Sequence, residues 1–120
     1  MRSVEIPNRL IVSPMCQYSA DDDGVATDYH LVQLGRFALG GFGMAVVEAT
    51  VVTREGWITH GDLGLWSDDQ VPGLRKLADF LARHGTLPGI QIGHAGPKSS
   101  SQRLGMSIRS FPSRMFQFLS

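Results

Sequence analysis

Cysteine is almost missing from this chain: of its 120 residues only Cys16 is one. A lone thiol excludes an internal disulfide framework, and it excludes zinc sites built on four cysteines or on two cysteines with two histidines. Neither sign of charge is in excess, with 11 Lys+Arg against 11 Asp+Glu, so the electrostatic footprint of a nucleic-acid or anionic-membrane binder is absent. Charge is also sparse, 18% of residues where about 25% is usual, which points to more buried surface than a small free-standing domain carries. Long apolar runs are lacking too. The longest, Phe37 to Val47 with its glycines, falls well short of the roughly 18–20 residues of a membrane span. Met1 to Leu10 carries Glu5, Pro7 and Arg9 where a secretory signal would have its apolar segment. These absences predict a single soluble, cytoplasmic domain that engages neither membrane nor nucleic acid.

What is present alternates between strand and helix signals. Leu10 to Val12 reads as a first strand that stops at Ser13-Pro14, because proline cannot donate to a ladder. Cys16 to Thr27 reads as a loop, with Asp21-Asp22-Asp23-Gly24 as a solvated turn; the spacing and closing Glu of a calcium loop are missing. Thr27-Asp28 opens a helix as a hydroxyl cap followed by an acid. Leu31, Leu34 and Ala38 share one of its faces, and Gly40-Gly41 ends it. Met44 to Val47 is apolar at every position, as in a strand covered on both sides. Thr50 to Trp66 is glycine-punctuated and reads as a long loop of the kind that carries function. Ser67-Asp68-Asp69-Gln70 is a capping box before the stripe Val71, Leu74, Leu77, Ala78 and Leu81. Gly85 and Pro88 end that helix, and Gly89 to Ile92 reads as a third strand leading to His94-Ala95-Gly96.

Strand, helix, strand, helix, strand argues for parallel α/β units with right-handed crossovers. A G-x-G-x-x-G after the first strand and a Walker A loop are both missing. A TIM-type barrel and an open flavodoxin-like sheet remain, and both place chemistry at the carboxyl ends of the strands. Those ends are Ser13 to Cys16, Glu48-Ala49, and Gln91 to His94.

These three ends carry a resemblance. Asn8-Arg9-Leu10-Ile11-Val12-Ser13-Pro14-Met15-Cys16-Gln17-Tyr18-Ser19 resembles the opening of the old yellow enzyme family of NAD(P)H:flavin oxidoreductases, in its cysteine-carrying bacterial branch. Val47-Glu48-Ala49, Glu55-Gly56 and Asp62-Leu63-Gly64-Leu65-Trp66-Ser67-Asp68 resemble the second strand, its loop and the next helix start. Ile90-Gln91-Ile92-Gly93-His94-Ala95-Gly96 resembles the third strand. Two positions depart: Trp57 and Pro97 stand where the family has arginine. The resemblance implies an FMN-binding (β/α)8 barrel, of which residues 1–103 would be the amino-terminal part, about three of the eight β/α units. The expected likeness ends at Arg103. Leu104 to Ser120 has no period and no acidic residue, and is expected to be an aberrant, disordered tail such as a shifted reading frame produces.

The same resemblance implies the roles. Ser13, Pro14, Met15 and Cys16 would line the flavin, with Cys16 near its N5/O4 edge tuning the reduction potential; a merely packed cysteine is the plainer alternative. Tyr18 would present a protonated phenol to the carbonyl of an activated alkene, and its alternative is an ordinary half-buried loop tyrosine. Ala49 would offer its backbone beside the flavin. Gln91 would read the pyrimidine edge with its amide; flanked by Ile90 and Ile92, it is expected to face inward rather than towards water from an edge strand. NAD(P)H is the implied reductant, and full-length relatives are expected to be homo-oligomers. Two other readings stand beside this one. The chain could be a non-catalytic remnant of such an enzyme. Alternatively, Glu48, Asp62 and His94 could serve a metal-dependent hydrolase, although no H-x-H or H-E-x-x-H pair supports a metal site.

Overall fold

The computed structural model describes residues 3–21 and 23–96. Its centre is the strand β2, Met44–Val51, whose apolar start lets it be buried along both edges. On one edge it pairs in parallel with β1, Ile11–Val12, through Ile11 to Met44 and Val12 to Ala45. On the other edge it pairs in parallel with β4, Leu87–Gly93, from Met44 opposite Leu87 to Val51 opposite Gly93. A short strand β3, Leu63–Gly64, lies opposite Thr50 and Val51. It takes up, at the carboxyl end, the edge that β1 occupies at the amino end.

The connections are helical and return each strand to the same direction. The helix α1, Asp28–Leu39, links β1 to β2, and α2, Val71–Arg83, precedes β4. Leu34 and Ala38 of α1 and Leu77 and Leu81 of α2 are buried with Val12, Ala45, Val47 and Leu63 in one core. The two helices meet closely at Gly35, where an added Cβ would stand 2.9 Å from the Phe80 ring. Gly41, at a φ of +90°, makes the left-handed turn that releases the chain from α1 into β2.

The expected strand–helix alternation holds, with three differences. β2 runs to Val51 rather than ending at Val47: Glu48 and Thr50 are buried polar residues, and after an irregularity past Val47 the ladder resumes at Thr50 opposite Ile92. The stretch from Thr50 to Trp66 is not purely loop. It contains a 3-10 turn at Arg54–Gly56 and β3, a strand too short to show any alternation and formed only because β2 offers an edge. Pro88 lies inside β4 rather than in the turn before it. The capping box forms as read: Ser67 N–H donates to Gln70 Oε1 at 3.1 Å, and it caps a 3-10 turn, Asp68–Gln70, that runs directly into α2. Gln70 does more than cap. It is buried, and its Nε2 donates to the Asp23 carbonyl at 2.7 Å, joining the acidic turn to the start of α2. At α1 the Thr27 hydroxyl donates to the Ser19 carbonyl, and His30 Nδ1 accepts the Thr27 N–H at 3.0 Å.

Trp57, the first departure from the family pattern, is buried against Trp66 and His60 with ring centroids 5.2 and 4.7 Å apart, and Arg54 lies over both tryptophans. Pro97 and the expected tail from Leu104 to Ser120 lie outside the described residues. Among the described residues no helix is long and apolar enough to cross a membrane.

Candidate functional site

All three strand ends named by the sequence emerge at the carboxyl side of one parallel sheet, as the topology requires. The β1 end is the best defined. After Val12 the chain runs through Ser13 and Pro14 to Met15, which is 47% exposed, and then turns inward at Cys16. The Ala49 N–H lies close enough to the Cys16 sulfur to act on its ionisation, so β1 and β2 bear on one spot. Burial pushes the thiol up to about 11, helped by the negative charges of Asp62 and Glu48; the N–H groups of Ala49 and Cys16 itself act in the opposite direction. The group is therefore a thiol at neutral pH, a weak donor and not a nucleophile.

Tyr18 is half-buried in the same segment, and its backbone is left-handed at a φ of +54°. A bulky residue in that region costs energy and persists where its surroundings over-determine it. Here Gly61 does so: a Cβ on it would lie 2.5 Å from the Tyr18 carbonyl oxygen, and the Ala20 N–H donates to the Gly61 carbonyl at 2.9 Å. Burial, then the neighbouring Cys16, Asp62 and Glu48, push the phenol above its ordinary range. It too stays protonated.

The two carboxylates of the site serve the chain. Asp62 accepts from the Ile58 N–H at 2.6 Å and the Thr59 N–H at 3.0 Å, fixing the turn that carries Gly61. Burial raises it to about 6, against the lowering effect of those two donors, and Glu48 adds to the rise. Glu48 accepts the Gln17 N–H at 3.0 Å and approaches His30 Nε2 to 3.3 Å. A ladder shift directs it there: Val47 faces Ile90 and Thr50 faces Ile92, three steps on β2 for two on β4. The extra residue lets Glu48 meet α1 although the preceding Val47 already belongs to the core. The contacts of His94 lie with glycines instead: its ring packs on Gly56 and its Nδ1 accepts the Gly96 N–H. No group of three or more metal-ligating side chains occurs among the described residues.

Gln91 does not behave as expected. It is exposed on β4, and so are Ile90 at 41% and Ile92 at 60%. The flanking isoleucines were the reason to expect burial, and here they are uncovered themselves. The structure thus brings Cys16 near Tyr18 and near the Ala49 N–H, with Ser13, Pro14 and Met15 in the segment leading to it, and leaves Gln91 on the neighbouring open strand β4. Sequence reasoning missed Gln17 and His30, whose residue types carry no motif. Ser13, Met15, Gln33, Leu34, Val46 and Glu48 line a shallow, solvent-open depression with essentially no enclosed volume, unlike the roughly 300–1,000 Å3 of small-ligand pockets.

The chemistry of this set fits one part of FMN. A thioether, a thiol, small backbone-presenting residues and a free amide suit a planar ring with alternating donors and acceptors. None of Ser13, Pro14, Met15, Cys16, Ala49 and Gln91 is a cation, so the set offers nothing of the kind that neutralises a phosphate.

Comparison with known proteins identifies the family and the fold. An NADPH dehydrogenase of Listeria monocytogenes is 48% identical over 100 residues, which cover 82% of this chain and 30% of that protein. A 2-naphthoyl-CoA reductase, solved with 2-naphthoyl-CoA, superposes with a TM-score of 0.76 at 29% identity over 79% of this chain and 14% of its own. The old yellow enzyme of Trypanosoma cruzi superposes with a TM-score of 0.69 at 27% identity, covering 78% of this chain and 25% of that one. The chain therefore spans about 30% of the length of the curated relatives it matches, and its sheet is part of their TIM-barrel fold. Relatives of this kind use FMN with NAD(P)H as reductant. The profile of the NADH:flavin oxidoreductase / NADH oxidase family matches residues 1–113, ten residues beyond the expected limit at Arg103, and this chain belongs to that family.

Proposed function

We propose that this chain forms the flavin-ring side of an FMN-dependent, NAD(P)H-driven oxidoreductase of the old yellow enzyme type, acting on an activated alkene in the cytoplasm. The observation that carries the reading is the meeting of Cys16 and Tyr18, both held protonated, with the Ala49 backbone at the carboxyl ends of β1 and β2. Ser13, Pro14, Met15, Cys16, Ala49 and Gln91 would hold the ring. Bound there, FMN supplies two-electron hydride chemistry between NAD(P)H and the alkene. Cys16 donates a weak hydrogen bond through its thiol and so adjusts the reduction potential. Tyr18 donates its phenolic hydrogen to the substrate carbonyl, polarising the conjugated double bond; a raised proton affinity keeps that donor available across the neutral range.

A specific observation favours a narrower statement about the chain in isolation. Among the described residues β4 pairs with β2 alone, so its second edge is open, and the ring-side residues include no cation. The 120-residue chain alone is expected neither to retain FMN nor to reduce enones.

The test is a chimera in which residues 1–96 replace the aligned segment of the Listeria monocytogenes NADPH dehydrogenase. It should oxidise NADPH in the presence of a cyclic enone. Tyr18→Phe should lower kcat about tenfold or more by removing the donor. A folded, flavin-loaded chimera that ignores enones, or whose Tyr18→Phe variant is as fast as its parent, would contradict the reading.

A further inference from the structure

Gln17, between Cys16 and Tyr18, makes four hydrogen bonds at the site, and the chemistry above gives it no role. Its N–H donates to Glu48 Oε2 on β2 at 3.0 Å. Its side-chain Nε2 donates to the Met15 carbonyl at 2.9 Å, and its Oε1 accepts from the Tyr29 hydroxyl on α1 at 2.8 Å. Its carbonyl accepts from the Ser19 hydroxyl at 2.9 Å. One residue thus ties Met15 and Ser19 to each other and to two separate elements.

Glu48 is the deep end of this network. It is 4% exposed, and a carboxylate so buried is costly unless its oxygens are occupied. Oε2 holds the Gln17 amide, and Oε1 lies 3.3 Å from His30 Nε2, a close approach outside hydrogen-bond alignment. The tautomer follows from the other ring nitrogen. Nδ1 accepts the Thr27 N–H, so the proton resides on Nε2, facing Glu48. The first turn of α1 therefore supports Glu48 through His30 and Gln17 through Tyr29.

We propose that Gln17 and Glu48 are positioning residues that clamp the Met15–Tyr18 segment to β2 and α1, so that the Cys16 sulfur and the Tyr18 hydroxyl are presented together in one fixed geometry. What they are presented to rests on the function proposed above; the clamp itself does not. The groups facing Cys16 are consistent with a fixed arrangement. Glu48 acts from β2, Asp62 from the turn before β3, and Tyr18 from the same segment. A catalytic group held within a few tenths of an ångström by such contacts works without reorganisation, whereas a loose loop loses rate.

Because Cys16 is the only thiol, its alkylation by iodoacetamide reports on this segment alone. The assay uses the full 120-residue chain at constant pH, with a urea-denatured control. The native chain should react about tenfold or more slowly than the denatured one. Glu48→Ala removes the acceptor and should raise the native rate about tenfold, whereas Glu48→Gln keeps a carbonyl for the Gln17 N–H and should stay within about threefold. Tyr29→Phe alters a half-exposed side chain and should raise the rate about twofold to threefold. Equal native and denatured rates in the parent, equal rates for Glu48→Gln and Glu48→Ala, or a Tyr29→Phe rate matching the parent would each overturn the clamp. If Glu48→Ala simply unfolds, the other two variants decide it. No flavin or enone enters the assay, so failure of the clamp and failure of the flavin reading are separate results.

Discussion

The carboxyl ends of β1 and β2 and the exposed side of β4 belong to one sheet, yet they are built to different standards. At the first, Glu48 and Asp62 are 4% and 1% exposed and each accepts backbone N–H bonds, and Gly61 is fitted against the Tyr18 carbonyl. At the second, Ile90, Gln91 and Ile92 all lie open, and no described strand covers the outer edge. The contrast shows that the β1–α1–β2 unit carries its own preorganisation, made from contacts within residues 13–62. β4 contributes side chains whose environment has to come from elsewhere.

The largest effect expected at the preorganised end is from Gly61→Val. Backbone stands where the new side chain must go, so neither Tyr18 nor Ala20 can yield cheaply. In the chimera the change should cost about 3 kcal/mol, read from the urea midpoint. A cost below about 0.5 kcal/mol would show that the Tyr18 backbone is not held as described.

Next is Asp62. Its carboxyl rises from 3.8 to about 6 on folding, so the folded state binds the extra proton between those values. Its contribution to stability is present below about 4 and declines as pH rises through 6. Asp62→Asn should flatten the stability profile of the chimera across that window, as measured by urea unfolding at stepped pH. A slope that survives the substitution would assign the titration to another group.

Cys16→Ala is expected to be smaller. The chimera should keep its FMN and shift its reduction potential, measured against a reference dye, because only a weak donor is removed. An unchanged potential would return Cys16 to the role of a packing residue.

The smallest effect belongs to β4, and it sharpens the comparison by changing with context. In the 120-residue chain Ile92→Lys should alter stability by less than about 0.5 kcal/mol, since the side chain is 60% exposed. In the chimera, where relatives supply more of the barrel, the same change should cost about 2 kcal/mol. Equal costs in both would mean that β4 is no less complete than β2.

Both helices could be read from spacing alone, since Leu34, Ala38, Leu77 and Leu81 reach the core where their periodicity put them. β3 could not, because two residues, one of them glycine, carry no pattern and depend on an edge supplied by a strand elsewhere in the chain. The residues proposed to line the flavin were suggested only by a resemblance; nothing in Ser-Pro-Met-Cys by itself declares a ring-binding lip. Glu48 illustrates the limit best. Its position at a strand end suggested a metal ligand, whereas a ladder shift turns it to His30 and Gln17, and such a shift leaves no mark in hydrophobic alternation. The exposure of Gln91 was illegible for a different reason. The sequence shows its apolar neighbours but not whether anything covers them.

The central claim is that this chain supplies the ring-binding side of an FMN site and depends on further barrel strands to complete it. Its most direct test is the visible spectrum and FMN content after desalting of the 120-residue chain and of the chimera, each loaded with excess FMN. The account predicts a colourless chain and a yellow chimera holding about one FMN per polypeptide. A 120-residue chain that retains stoichiometric FMN, or a folded chimera that retains none, would contradict it.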